Sequence, residues 1–315
     1  MKSIVIISIL FQFVFFYNTA ICQSEKSSSH YIDAKTPEGL KQIFRYTGKS
    51  TSFLSSHRGG PEKNLPENCI ATFENTLKYT CSLMEIDPRY SKDSVIVLFH
   101  DPVLQRTSTG EGKVADFTYE ELKQLKLKDA EGNTTLYQIP TLEEALNWTK
   151  GKTILVLDKK DVPISERVKM IEKCHAESCA IVMAYNYEEA RQCYQMNKNI
   201  MMQVFIKEPS QIAEFEKTGI PWENVVVFIA HQLPDDLSVF DKLHQRGVLC
   251  ILGTSRNLDR ELTEGEYSSS EMKKKYDALY QKGADILETD IPVEVSKLMH
   301  ERLASKMLNT KHAQH

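Results

Sequence analysis

From about residue 50 to its end, the chain alternates short apolar runs with amphipathic stretches, and no other feature restricts the possible folds as strongly. The predicted strands are Phe53–His57, Leu83–Asp87, Ile154–Asp158, Ala180–Ala184, Met201–Phe205, Val225–Ile229, Val248–Leu252 and Ile286–Asp290. The predicted helices are Ala71–Tyr79, Leu142–Trp148, Ile164–His175, Glu188–Met196, Ser210–Lys217, Leu237–Arg246 and Ser270–Lys282. Eight strand–helix units over about 250 residues predict an α/β fold, a parallel (β/α)8 barrel, with a doubly wound sheet as the alternative.

One apolar run interrupts this alternation. Val95–Phe99 follows Asp87 too closely for a parallel crossover, which needs about a dozen residues or more. We therefore expect an antiparallel hairpin that turns at residues 91–94 and brings His100 back beside Asp87. Residues 101–140 then form a small insertion after the second strand, with a short helix of their own at Tyr119–Leu125.

Composition and charge exclude several classes of protein. Hydrophobic residues make up 41% of the chain and charged residues 26%, which is ordinary for a globular protein and excludes a disordered or polytopic membrane chain. The formal net charge is −4, so no basic excess is available to bind nucleic acid. We expect no nucleic-acid partner.

The first residues have the pattern of a secretory signal peptide. Lys2 precedes an apolar run at residues 4–17, and small residues including Ala20 follow. The run is shorter than the roughly 20 residues of a membrane span, although an uncleaved anchor is an alternative. We predict a signal peptide at 1–23, a linker or leading segment at 24–45, and the catalytic domain at 46–315. The protein would then be secreted or periplasmic, with lipid attachment at Cys22 as a less favoured alternative and no stable membrane span.

Six cysteines remain if Cys22 leaves with the signal peptide, and the sequence does not fix their pairing. Cys69 and Cys81 bracket one predicted helix, so they would lie about 18 Å apart, too far for a disulfide. We expect the cysteines to act mainly as small buried residues.

Carboxylates gather at the predicted carboxyl ends of the strands, where barrel enzymes hold their active sites. Glu85 and Asp87 are two residues apart on one strand and therefore share a face, and Asp158 ends the next barrel strand. By the same rule Asp158 and Lys160 share a face. A hard cation, Mg²⁺ or Ca²⁺, is the natural occupant of such a cluster. A transition metal is also possible, and the simplest alternative is a solvent-exposed edge strand with no metal.

Two histidines accompany these carboxylates. His57 and His100 both end predicted strands, and imidazoles near a phosphate can act as general acid and general base. Arg58 and Lys160 are cations suited to holding an anionic phosphate oxygen. The glycines at 59 and 60 would let the backbone approach a ligand. The other seven histidines, among them His175, His231 and His244, are predicted to be structural.

Taken in order, these residues resemble the glycerophosphodiester phosphodiesterase family over about residues 53–292. The matching motifs are His57-Arg58-Gly59-Gly60, Pro66-Glu67-Asn68, Phe73, Glu85-Ile86-Asp87, Phe99-His100-Asp101, Leu104-x-Arg106-Thr107, Gly110-x-Gly112-x-Val114, Pro140-Thr141-Leu142-Glu143-Glu144 and Thr289-Asp290-x-Pro292. The resemblance implies a TIM (β/α)8 barrel that hydrolyses glycerophosphodiesters to sn-glycerol 3-phosphate and an alcohol in phospholipid and glycerol metabolism.

The resemblance also implies roles for individual residues. Glu85, Asp87 and Asp158 would bind one divalent cation, Mg²⁺ or Ca²⁺. His57 and His100 would be the acid–base pair, and Arg58 a phosphate contact. The family usually has glutamate where Asp158 stands, and a Trp-Thr pair where this chain has Gly253-Thr254. The second difference alters the wall near the alcohol.

Two other functions remain as alternatives. The first is a phospholipase-C- or D-like phosphodiesterase acting on phosphoinositol or sphingolipid head groups. The second, less favoured, is an exported binding protein whose catalytic site has decayed. The partner in the preferred interpretation is a small glycerophosphodiester, and the sequence does not give the oligomeric state.

Overall fold

Eight parallel strands form a closed barrel in the computed structural model, which describes residues 23–24, 30–49 and 53–299. The strands are Phe53–Ser56, Ser82–Ile86, Leu155–Leu157, Ala180–Ala184, Met201–Phe205, Val225–Phe228, Cys250–Gly253 and Ile286–Thr289. They follow one another around the ring in chain order, and the eighth closes on the first with Glu288 opposite Ser55. The predicted TIM-barrel fold is therefore confirmed, and the doubly wound sheet was wrong.

Helices cover the barrel in the order that the sequence predicted. Their bounds are Pro37–Ile43, Ile70–Thr76, Tyr119–Leu122, Leu142–Thr149, Ile164–Lys173, Tyr187–Met196, Pro209–Glu216, Ser238–His244, Leu258–Glu264, Ser269–Gln281 and Pro292–Leu298. Reciprocal side-chain caps begin four of them: Thr118 with Glu121, Thr141 with Glu144, Glu208 with Gln211, and Ser268 with Glu271. Helices Pro37–Ile43, Leu258–Glu264 and Pro292–Leu298 were not predicted, because seven residues give too few turns for a clear apolar period.

The predicted hairpin is present, although it forms beyond the second barrel strand rather than on it. Pro88–Tyr90 continues outward from that strand and pairs antiparallel with Ile96–Leu98. The amide of Phe99 donates to the carbonyl of Asp87 at 2.9 Å. His100 is thereby returned to the rim of the barrel beside Asp87, as expected.

The insertion after the second strand has a small hydrophobic core of its own. Val97, Phe99, Leu104, Val114 and Leu122 are all buried in it. This core is separate from the two clusters inside and around the barrel. The insertion is thus a packed unit on the rim rather than a loose loop.

The leading segment contributes to the base of the barrel. Ile32, Ala34, Leu40 and Phe44 are buried against residues of the barrel interior such as Leu249. Apolar side chains at the lower end of the barrel need such a cover, so this part of the predicted linker at 24–45 packs as core.

The remaining sequence predictions concern the N-terminal segment, membrane spans and the cysteines. Residues 1–22, with the signal peptide and Cys22, lie outside the described residues. None of the helices in the described ranges has the length and apolarity needed to cross a membrane. Five cysteines are free and buried, and Cys81 takes part in a disulfide, so Cys69 and Cys81 do not pair.

Candidate functional site

Three carboxylates meet inside the rim of the barrel. Glu85, Asp87 and Asp158 each offer an oxygen within 4.8 Å of the others, and all three are buried. Glu85 and Asp87 come from the second strand and its exit, and Asp158 directly follows the third, so neighbouring strand ends bring them together. The sequence-based grouping of these three residues is therefore found in the structure.

Lys160 compensates part of this negative charge. Its Nζ lies 2.9 Å from Asp87 Oδ1 and also contacts Asp158. Burial acts to raise the pKa of Asp158, but Lys160 outweighs it and the pKa is lowered. Burial and the neighbouring Asp87 raise the pKa of Glu85 well above its ordinary value. Glu85 therefore binds a proton more readily than an ordinary glutamate does.

Lys160 reaches the carboxylates by a different route from the predicted one. The third strand ends at Leu157, and Lys160 lies in the following loop with a φ of 37°. Strand alternation therefore does not place it beside Asp158. A left-handed turn does, and its ammonium group is directed at the carboxylates.

His57 is held by a carboxylate from the eighth strand. Its Nδ1 donates to Asp290 Oδ1 at 2.5 Å, which leaves Nε2 on the side of Glu85, 4.0 Å from Oε2. Burial works to lower the pKa of His57, but the hydrogen bond to Asp290 and the charges of Glu85 and Glu288 raise it to about 10. His57 is accordingly a cation at neutral pH.

His100 is held in a similar way. Its Nδ1 donates to Asp101 Oδ1 at 2.7 Å, and Arg106 donates to both oxygens of Asp101 at 2.6 and 2.9 Å. Burial lowers the pKa of His100, and the raising effects of Asp87 and Asp101 do not compensate. His100 is therefore neutral, in contrast to His57.

Arg58 lies in a turn that directs its backbone and side chain to different partners. Its amide donates to Glu85 Oε2 at 2.9 Å, and its Nη1 donates to Glu67 Oε2 at 3.1 Å. Arg58 has a φ of 53°, in the left-handed region that ordinary residues rarely adopt. Such strain is frequent at functional sites, where surrounding contacts enforce it.

The two glycines after Arg58 serve packing. A Cβ on Gly59 would lie 2.3 Å from the Phe73 ring, and one on Gly60 would lie 2.2 Å from Pro292 Cγ. Both glycines also have positive φ, 87° and 79°. Protein side chains therefore fill the space on the Cβ side of both glycines, and the approach of their backbone to a ligand stays a prediction.

Sequence reasoning assigned no role to several residues that complete the site. Asn68 donates to Asp87 Oδ2 at 2.6 Å and accepts from the Asp87 amide at 2.9 Å. Tyr185 donates to Asp158. Glu288 is buried inside the barrel, and burial raises its pKa to about 7. A lone tyrosine or asparagine gives little signal in a sequence, whereas Asp101 and Asp290 stood in the strand-end motifs already noted.

The resulting arrangement suits acid–base chemistry on an anion. A cationic and a neutral imidazole lie beside a buried acidic cluster, and Arg58 lies next to the same carboxylates, with its Nε 3.8 Å from Asp87 Oδ2. All seven residues singled out for the site lie at the same end of the barrel.

Comparisons with known proteins agree with this arrangement. The model of the glycerophosphoryl diester phosphodiesterase family matches residues 57–261. The crystal structure of a glycerophosphoryl diester phosphodiesterase from Parabacteroides distasonis superposes with a TM-score of 0.82 at 40% identity, covering 86% of this chain and 94% of that one.

Curated relatives match over shorter segments. The glycerophosphodiester phosphodiesterase of Caldanaerobacter subterraneus subsp. tengcongensis is 33% identical over 139 residues, 44% of this chain and 55% of that protein. The glycerophosphodiester phosphodiesterase of Bacillus altitudinis is 30% identical over 148 residues, 42% of this chain and 58% of that protein. The chain thus spans a little over half the length of these curated relatives. With a family match over most of the barrel and a similar solved structure of nearly full coverage, the chain belongs to the glycerophosphoryl diester phosphodiesterase family.

Proposed function

We propose that this protein hydrolyses glycerophosphodiesters to sn-glycerol 3-phosphate and an alcohol. The observation that carries the proposal is the pair of histidines, each fixed through Nδ1 by a carboxylate, beside a buried acidic cluster. Family membership and the names of the relatives support the same reaction. The proposed substrate is a small molecule, and the proposed reaction requires no macromolecular partner.

Glu85, Asp87 and Asp158 fit a divalent cation. Their oxygens converge within 4.8 Å, and the ammonium group of Lys160 contacts Asp87 and Asp158 among the three carboxyl groups. Oxygen donors alone favour a hard cation, Mg²⁺ or Ca²⁺. Such an ion would supply Lewis-acid stabilisation of the phosphate charge and lower the pKa of a coordinated hydroxyl.

The two histidines divide the proton transfers between them. When two titratable groups have pKa values pushed in opposite directions, the higher one suits the acid and the lower one the base. His100, neutral, accepts a proton from the nucleophile, which is either water or the neighbouring glycerol hydroxyl. His57, cationic, donates its Nε2 proton to the leaving alkoxide. If the glycerol hydroxyl attacks, water then opens the cyclic phosphate.

Arg58 and Lys160 supply positive charge for the phosphodiester. The Nε of Arg58 is buried without a hydrogen-bond partner, 3.8 Å from Asp87 Oδ2. A non-bridging phosphate oxygen is a suitable acceptor for that donor. Lys160 is occupied by Asp87 and Asp158, so its contact with phosphate depends on a cation taking over those carboxylates.

We also propose that the protein is exported through its N-terminal segment. The proposal rests on the basic, apolar and small-residue order of residues 1–23. N-terminal sequencing of the protein recovered from the envelope or medium tests it. A mature chain that starts near residue 24 agrees with cleavage, and an N-terminus at Met1 refutes it.

The reaction is tested by ³¹P NMR on the purified protein. Glycerophosphocholine, glycerophosphoethanolamine and glycerophosphoinositol are incubated with Mg²⁺, Ca²⁺ or EDTA. We expect a sn-glycerol 3-phosphate signal that EDTA abolishes. A phosphoalcohol or a persistent cyclic phosphate would favour the phospholipase-like alternative. Tight binding without any product would favour the binding-protein alternative.

Three matched variants test the histidines. His57→Asn and His100→Asn each remove an imidazole from the site and should lower turnover by at least about 100-fold. His175→Asn changes an exposed histidine with a φ of 51°, a conformation that asparagine tolerates, and should leave turnover unchanged. Near-normal turnover in either site variant contradicts the acid–base scheme.

A further inference from the structure

The wall of the barrel mouth opposite the acidic cluster comes from the sixth and seventh strands. In a closed ring of eight, these two strands face the second and third, which carry Glu85, Asp87 and Asp158. The seventh strand ends in Gly253, whose amide donates to the carbonyl of Ala230 at 2.9 Å. The ends of the two strands are therefore tied together at this wall.

The ring of His231 covers Gly253. A Cβ built on Gly253 would lie 2.3 Å from His231 Nδ1 and 3.1 Å from Cε1. The ring also packs edge-on against Phe228, with centroids 5.1 Å apart, and the Asn257 side chain donates to the His231 carbonyl. His231 thus occupies the volume that a side chain at position 253 would otherwise fill, and it is held there.

The two ring nitrogens of His231 have different surroundings. Nδ1 is buried against Gly253 and has no hydrogen-bond partner. Nε2 is not among the buried atoms and bonds to nothing within the described residues, so it is the nitrogen available to a ligand. Burial first, and then the charge of Arg256, lower the pKa of His231 to about 4. The ring is therefore neutral and its Nε2 can form an ordinary hydrogen bond with a hydroxyl.

Two cations flank this imidazole. Lys207 follows the fifth strand and Arg256 follows the seventh, and both side chains are exposed. Neither forms a salt bridge with any residue in the described ranges. Arg256 lies shortly after Gly253, and Lys207 follows a strand that pairs with the sixth, so both cations lie at the rim around this wall.

We propose that His231 is a specificity-determining residue: its Nε2 hydrogen-bonds a hydroxyl of the leaving alcohol, and the wall it forms with Lys207 and Arg256 selects polyhydroxylated or anionic alcohols over choline. The inference rests on the proposed hydrolysis. With the phosphate and a glycerol hydroxyl at the acidic cluster, the alcohol extends toward the opposite wall of the mouth, where His231 lies over Gly253.

The aromatic residues beside His231 act against this selectivity, because they favour choline. Tyr185, Phe205 and Phe228 form a continuous series, with successive centroids 4.9 and 5.6 Å apart. Aromatic faces attract quaternary ammonium groups. Two unpaired cations repel the same group, and the repulsion acts over a longer distance. We therefore expect the wall to discriminate against choline. Competition between substrates measures whether the repulsion by the cations exceeds the attraction by the aromatic faces.

The first test is a competition between glycerophosphoinositol and glycerophosphocholine at equal concentration, followed by ³¹P NMR. We expect kcat/KM for glycerophosphoinositol to be at least about tenfold higher. Equal rates or a preference for glycerophosphocholine would overturn the proposal. Release of sn-glycerol 3-phosphate from either substrate supports the hydrolysis itself, so failure of the selectivity and failure of the reaction are distinguishable.

Variants at position 231 test the hydrogen bond. His231→Phe keeps a ring over Gly253 but has no nitrogen, and should lower kcat/KM for glycerophosphoinositol about tenfold while changing that for glycerophosphocholine less than twofold. His231→Gln keeps a polar atom near the place of Nε2 and should recover part of the loss. Equal losses on both substrates in both variants would mean a merely structural role, and would refute the proposal.

Charge variants test the flanking cations. Lys207→Met and Arg256→Met should each reduce the preference for glycerophosphoinositol, and the reduction should shrink at high salt. Arg260→Met is the matched control, because Arg260 is 71% exposed and already lies 3.8 Å from Glu264. A selectivity that responds equally to all three substitutions would contradict a local effect at the wall.

Discussion

Replacing Asp290 with asparagine should lower the pH at which activity is lost on the alkaline side of the pH profile. Asp290 Oδ1 accepts from His57 Nδ1 at 2.5 Å, and Asp290→Asn keeps a hydrogen-bond acceptor while it removes the charge. His57 must be protonated to act as the general acid, so activity falls as pH rises through its pKa. Since Asp290 raises that pKa, removing its charge must move the alkaline limb to lower pH.

The size of the shift follows from the remaining neighbours of His57. Together its surroundings raise the pKa from 6.5 to about 10, although burial opposes the rise. A single opposite charge within contact distance shifts a pKa by about one to three units. Glu85, 4.0 Å away, and Glu288 remain in the variant, and the Asp290 side chain is 44% exposed and partly screened. We therefore expect the alkaline limb to move down by about one to two units.

The measurement is kcat/KM against pH, which reports groups of the free enzyme, with the same cation present throughout. The comparison between wild type and variant is what matters, because a bound cation changes both profiles. Asp236→Asn is the control, since Asp236 is an exposed residue that caps Ser238 far from the histidines. An unchanged or raised alkaline limb in Asp290→Asn would refute His57 as the acid.

Three further substitutions test other parts of the site. Lys160→Met leaves buried carboxylates without their cation, so the free energy of unfolding in EDTA should fall by about 3 kcal/mol, and millimolar Ca²⁺ or Mg²⁺ should restore much of it in thermal melts. Asn68→Ala removes the amide that orients a carboxylate of the cluster, and calorimetric titration should show cation affinity lowered about tenfold or more. Gly60→Ala places a Cβ 2.2 Å from Pro292 and should cost about 2–3 kcal/mol in urea unfolding, against about 1 kcal/mol for Gly219→Ala, which has a similar φ and open space.

The barrel was predictable because each of its strands is a continuous apolar run. Val225–Phe228 and Ala180–Ala184 are buried on both faces, as parallel strands under helices must be, and such runs stand out in a sequence. The hairpin was predictable because seven residues are too few for a parallel crossover. The helix at Pro37–Ile43 was not predictable from the sequence. It is held by packing against the base of the barrel, and only the assembled fold creates that surface.

The site was predictable where chemistry and strand ends coincide. Glu85, Asp87 and Asp158 come together because neighbouring strands end together. Lys160 reaches the same carboxylates through a left-handed turn, which strand periodicity does not reveal. Tyr185 joins the cluster through a single contact with Asp158. Lys160 and Tyr185 reach the cluster through loop geometry, and no local sequence pattern predicts such contacts.

His231 shows the same limit in a different form. As a lone histidine near a strand end it was predicted to be structural. Only its position over Gly253, with one nitrogen buried and the other open, gives it a possible role in specificity. This contact joins residues from two different strand ends, so neither residue alone predicts it in a sequence.

The separate core of the rim insertion has a consequence for how the enzyme loses activity. His100 is carried by a unit with its own cooperative packing, and Arg89 fastens that unit by donating to the His100 carbonyl at 2.7 Å and pairing with Asp161 at 2.9 Å. Partial opening of this unit would separate His100 from His57 while the eight strands stay closed. We therefore expect an inactive state in which the barrel is still folded. Inactivation should precede the loss of barrel ellipticity in denaturant, with amide exchange in the insertion faster than in the strands.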